Sequence, residues 1–152
     1  MSANTYQELV QLHRDIAMIS SVSALLNWDQ ETYMPPAGAE FRAEQQSAVA
    51  RMAHERRTDR RIGELLKACE ANGIMRASDA AAANVREMRR DYDLATKLPT
   101  DLVAEIAKVT SQAQEAWKAA RKDSFLPGIS SARSRRAAGR RSPAPVPGRR
   151  RP

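Results

Sequence analysis

The chain is predicted to be all-α: about five amphipathic helices packed antiparallel, followed by a disordered C-terminal tail. Three observations predict this. Apolar residues recur at intervals of three and four over five separate stretches. No stretch alternates convincingly at a period of two, so no strand is expected. Between the stretches fall the breakers Pro35-Pro36, Asn72-Gly73 and Pro99, spaced as helix connections ordinarily are.

The first helix is expected from about Thr5 to about Trp28. Tyr6, Leu9, His13, Ile16, Ser20 and Ser23 share one face, with Leu12, Ile19, Val22 and Leu26 beside it. Pro35 and Pro36 lack backbone donors and push the residues before them toward extended geometry, so this helix ends at or before Met34. A second helix runs through about Arg57, with Phe41, Gln45, Ala48, Val49, Met52 and Ala53 inward. Thr58 or Asp59 caps a third, whose face is Ile62, Leu65, Leu66 and Cys69. Asn72-Gly73 stops it, because both residues tolerate the left-handed conformation. Ser78 caps a fourth, and Asp79 sits near the positive end of its dipole. Its stripe is Ala81, Val85, Met88, Tyr92 and Ala95, and Pro99 marks its end. Thr100 caps a fifth, with Leu102, Ile106, Val109, Ala113, Trp117 and Ala120 inward.

At 152 residues the chain suffices for one domain with a modest core, and aromatics are only 5%, so alanine must supply much of the packing. The formal charge of +7 is uneven. Residues 124–152 hold eight arginines and no acid, leaving 17 basic against 18 acidic residues in 1–123. Two regions are therefore expected: a helical body, 1–123, and an Arg/Pro-rich tail, 124–152. The tail has too few apolar residues to offset its ordering entropy and is expected to be disordered. A single cysteine, Cys69, excludes an internal disulfide framework. The N-terminus shows no signal-peptide pattern and no apolar run approaches the length of a membrane span. The expected compartment is the cytoplasm.

The densest polar cluster lies where the first helix meets the prolines: Asn27, Asp29, Gln30, Glu31 and Thr32, bracketed by Trp28 and Tyr33. This is more than capping requires, so the cluster either seals a helix end against a neighbour or lines a groove. Trp28-Asp29-Gln30-Glu31-Thr32-Tyr33-Met34-Pro35-Pro36 resembles the N-terminal signature of the carboxypeptidase Taq family of zinc metallocarboxypeptidases. Ala53-His54-Glu55-Arg56 with Thr58-Asp59 extends the likeness. So does Asn84-Val85-Arg86-Glu87 through Asp91-Tyr92-Asp93 to Thr96-Lys97-Leu98-Pro99, and the whole runs in order from about Tyr6 to Asp123.

The resemblance implies a segment of a larger helical metallopeptidase that releases C-terminal amino acids from peptides. It implies zinc on a His-Glu-x-x-His helix, with a downstream glutamate completing the ligands. Here His54-Glu55-Arg56-Arg57-Thr58 places a threonine where the second histidine would stand, and in the family this stretch is not the zinc motif. His13, His54 and Cys69 are the only strong nitrogen or sulfur ligands and fall on three different helices, so no metal site is expected. His13 reads as a packed histidine, His54 as a polar helix-end residue, and Cys69 as a small core residue. Asp29 and Glu31, two apart on a helix, point in different directions and do not form an acid–base pair. They are expected to fix the helix end by hydrogen bonds, with Trp28 packed beneath. Residues 28–33 are thus structural, or help wall the substrate groove. Ser20, Ser21 and Ser23 lack a nearby base, and no Gly-x-Ser-x-Gly elbow occurs.

Two readings follow. In the first, the chain is a truncated metallocarboxypeptidase, inactive alone, whose exposed helix faces favour self-association. Family members continue past Arg121-Lys122-Asp123 with more helix, and the abrupt change in composition there suggests a frameshift near Asp123-Ser124 in a GC-rich gene. In the second, the short chain is a binding module whose arginine tail contacts nucleic acid or another polyanion without sequence preference.

Overall fold

A computed structural model describes residues 2–71 and 78–122. The expected stop at Asn72-Gly73 and the expected disordered tail, 124–152, lie outside these residues. The described chain is all-helical. Its elements are α1 (Ser2–Thr32), a 3-10 turn (Pro36–Gly38), α2 (Ala39–Arg57), α3 (Arg60–Ala71), α4 (Asp79–Ala95) and α5 (Thr100–Lys122). Two compact units divide it: Met1–Glu115, which holds the core, and Ala116–Pro152, whose described part is the end of α5. In that end the Arg121 guanidinium lies 5.2 Å from the ring centre of Trp117.

The core of the first unit joins α1, α3 and α4. Leu9 and Ile16 meet Ile62, Leu65, Leu66, Cys69 and Val85, with Tyr6, Leu12, Met88 and Tyr92 packed around them. Burial of each large aliphatic side chain contributes roughly 1.5–3 kcal/mol. The stripes expected for α3 and α4 are the ones found. Asp59 caps α3, its Oδ1 accepting from the Arg61 amide at 2.8 Å. Ser78 caps α4, its hydroxyl accepting from the Ala81 amide at 3.4 Å.

Four expectations are corrected. Helix α1 continues one turn past Trp28, to Thr32. The Asp29 carbonyl still accepts from the amides of Tyr33 and Met34 at 2.9 Å, and the break comes only where Pro35 has no amide to offer. On α2 the buried residues are Ala43, Gln46, Val49, Ala53 and His54, while Phe41, Ala48 and Met52 are exposed. An alanine-rich helix has no strongly apolar side, so polar partners elsewhere set its rotation. Thr100 is the first residue of α5 and not its cap; the Pro99 carbonyl accepts from Val103. Most consequentially, Leu102, Ile106, Val109, Ala113, Trp117 and Ala120 all face outward, and Ala104 and Ser111 are buried instead.

Candidate functional site

The polar cluster at the end of α1 is a clasp between helices. Gln30 is only 3% exposed, although a neutral amide in the interior is costly unless it is hydrogen-bonded. Its Nε2 donates to the Ser111 carbonyl and to Glu115 Oε1, and its Oε1 accepts from the Ser111 hydroxyl, all at 3.0 Å. Gln46, also buried, donates to Asn27 Oδ1 at 2.7 Å. Arg42 gathers three acceptors: Asp29 Oδ2, the Leu26 carbonyl, and Gln45 Oε1 at 2.9 Å. Thus Asn27, Asp29 and Gln30 tie α1 to α2 on one side and to α5 on the other. Among the described residues every buried side-chain polar atom has a partner.

The other members of the stretch face out. Thr32 bonds back to the Trp28 carbonyl at 2.7 Å, a local closure of the last turn. Trp28 is exposed and does not pack beneath the cluster; it meets Tyr33 edge-on, with ring centres 5.5 Å apart. Glu31 is exposed as well. Asp29 pairs with Arg42 through Oδ2, a bridge from α1 to α2.

The two histidines differ in their surroundings. His54 is 5% exposed, and both ring nitrogens are engaged: Nδ1 with the Thr100 hydroxyl at 2.9 Å, Nε2 with the Ala95 carbonyl at 3.1 Å. Since a carbonyl only accepts, Nε2 carries a proton and donates it to Ala95. His54 therefore pins the turn between α4 and α5, a buried role that its helix-end position did not suggest. The half-buried His13 has Nδ1 against the Leu9 carbonyl at 3.1 Å. His13 lines a groove of about 480 Å³ and His54 one of about 460 Å³, and the two grooves share Arg57 and Asp91.

A resident zinc ion does not fit these donors. Among the described residues no group of three or more His, Cys, Asp or Glu side chains could hold a metal. Both nitrogens of His54 are spent, and burial pushes the Cys69 thiol up and so disfavours the thiolate a metal needs. No described helix is long and apolar enough to cross a membrane.

Arg42, Gln46 and Ser111 were missed by sequence reasoning, and Thr100 was expected only as a helix cap. Their partners lie 13 to 81 residues away, and no local pattern signals such pairs.

An all-helical fold closed by a polar clasp at the end of its first helix defines a helical scaffold. The chain belongs to the family described as Carboxypeptidase Taq (M32) metallopeptidase, whose profile matches residues 8–128 and so includes the whole clasp. It is 43% identical over 118 residues to thermostable carboxypeptidase 1 of Thermus thermophilus, which covers 76% of this chain and 23% of that protein. It is 27% identical over 122 residues to thermostable carboxypeptidase 1 of Pyrococcus furiosus, covering 80% and 24% respectively. The chain thus spans about a quarter of the length of the curated relatives it matches.

Proposed function

We propose that this chain is the N-terminal helical frame of a zinc metallocarboxypeptidase, contributing structure and groove wall and no step of bond cleavage. The observation that carries this is the family match over a clasp whose polar groups are bonded to one another, in 152 residues that contain two histidines and no His-Glu-x-x-His. In the intact family, zinc would supply a polarised water for release of C-terminal residues from peptides. Here Asn27, Asp29 and Gln30 hold the end of α1 in place. The exposed rings of Trp28 and Tyr33 offer an apolar surface to a peptide, a role in access and not in chemistry. The reducing cytoplasm suits a chain whose one cysteine is free and buried. The test is to incubate the purified chain with zinc and a set of peptides and follow release of C-terminal amino acids. None is expected; measurable release would overturn the reading.

A second reading is favoured by the eight arginines of 124–152 alone, namely electrostatic binding of a polyanion. Neutralising up to eight phosphates predicts a log–log salt slope of about −7. Affinity that does not change with salt would remove it. The frameshift reading is tested by the nucleotide sequence: helical periodicity and His-Glu-x-x-His resuming in another frame would make the arginine tail meaningless.

A further inference from the structure

The grooves of about 480 and 460 Å³ that meet at the end of α2 each fall within the roughly 300–1,000 Å³ of a small-molecule pocket. The two residues they share carry opposite charges: Arg57, the last residue of α2, and Asp91 on α4. These charges do not pair with each other. Arg57 donates to the Ser20 hydroxyl at 2.9 Å, and Asp91 has no hydrogen bond or ion pair among the described residues. Elsewhere on this surface facing charges do close on one another, as Arg61 does on Glu8 and Arg89 on Glu70.

Two polar groups of α1 complete the first groove. His13 Nδ1 donates to the Leu9 carbonyl, which leaves Nε2 as an acceptor in the neutral ring. Ser20 accepts from Arg57 and keeps its hydroxyl proton to donate. The groove thus offers donors at Arg57 and Ser20 and acceptors at Asp91 and His13. A lone anion is repelled by Asp91 and a lone cation by Arg57; a small zwitterion suits both. Beyond the shared charges the second groove is lined by Leu94, Leu98 and Val103, an apolar wall. His54 holds that wall in place through Thr100 and the Ala95 carbonyl, so little order has to be created on binding.

We propose that the two grooves together bind a free aliphatic amino acid. Its carboxylate lies on Arg57 and Ser20, its ammonium group on Asp91 and His13, and its side chain against Leu94, Leu98 and Val103. Such a site needs neither zinc nor bond cleavage and is additional to the role as a frame.

The test is a titration of the full chain at physiological salt, followed by amide chemical shifts in NMR. The probes are L-leucine, 3-methylbutylamine, which lacks the carboxylate, and 4-methylpentanoate, which lacks the ammonium group. Saturable shifts in residues 13–21 and 91–95 are expected with L-leucine, at a dissociation constant of about 1 mM or lower. L-leucine should bind about tenfold more tightly than either probe that lacks one charge. Arg57→Gln should remove the preference over the amine, and Asp91→Asn the preference over the carboxylate. Both positions are exposed, so neither substitution should lower the unfolding temperature by more than a surface change does. Arg14→Gln and Glu55→Gln make the same charge changes at exposed positions outside both grooves and should leave binding unchanged.

No saturation by about 10 mM L-leucine overturns the site. Equal binding of all three probes overturns it too, as does affinity for L-leucine that survives either groove substitution. Attraction to the arginines of 124–152 would be the same for both carboxylates and indifferent to Asp91→Asn, and that pattern also overturns it. The role as a frame is judged separately, by peptide release, so the two failures are distinguishable.

Discussion

Gln30 bonds to Ser111 and Glu115 across 81 and 85 residues of sequence, and it does so with both ends of one amide. Gln30→Leu keeps the volume but leaves the Ser111 hydroxyl and carbonyl without these partners in the interior. Stability should fall by about 1–3 kcal/mol, read from urea unfolding. Thr32→Ala, two residues on but exposed, should change it by less than about 0.5 kcal/mol. Gly63 is a second point where one atom matters. A Cβ there would stand 2.7 Å from the Tyr92 hydroxyl oxygen and 3.0 Å from the ring carbon that bears it. Gly63→Ala gains helix propensity but displaces a packed ring, and a net loss of about 1 kcal/mol is expected. In a Tyr92→Leu background the clash is gone, and the same substitution should become stabilising in thermal unfolding.

At the scale of elements, α3 and α4 follow their sequences closely. Ile62, Leu65, Leu66 and Cys69 were legible because a short helix with one strong stripe has only one way to bury it. The cap at Ser78 was legible for a local reason: its partner is three residues away. Since that hydrogen bond is long, Ser78→Ala should cost about 0.5 kcal/mol, the low end for a cap, with early fraying of α4 visible in amide exchange. Helices α2 and α5 were not legible in rotation. Their orientation is decided by Arg42, Gln46, His54 and Ser111, each bonded to a residue on another element. On α5 these ties outweigh the hydrophobic stripe, since no described element covers it. Hydrophobic periodicity identifies the helix but names its buried side only when the partner is present.

For the molecule as a whole, two groups make stability fall at alkaline pH. Burial, aided by Glu70, raises the Cys69 thiol above its ordinary 9.0, and the hydrogen bond to Glu44 raises Lys108 above 10.5. In both cases the folded value exceeds the unfolded one. Each contribution is therefore intact below the ordinary value and is lost as pH rises through the folded one. Stability should decline from about pH 9.0 upward, and Cys69→Ala should flatten the first part of that decline in denaturation at stepped pH. Cys69 should also resist alkylation until the chain unfolds, because its side chain is fully buried in the core.

The sequence by itself determined the helices, the breaks at Pro35-Pro36 and Pro99, the core stripes of α3 and α4, and the family. These depend on local spacing, on proline chemistry and on ordered motifs that survive without any partner. It also marked residues 27–33 as a stretch that either seals a helix end against a neighbour or lines a groove, because so many polar side chains at one helix end exceed the needs of a cap. Only the tertiary structure decided what they join. It turned Gln30 inward to Ser111, left Trp28 and Tyr33 outside, and buried His54 against the turn between α4 and α5. The physical reason is that a buried polar group is tolerable only beside a matching partner, and the identity of that partner lies in a distant part of the chain.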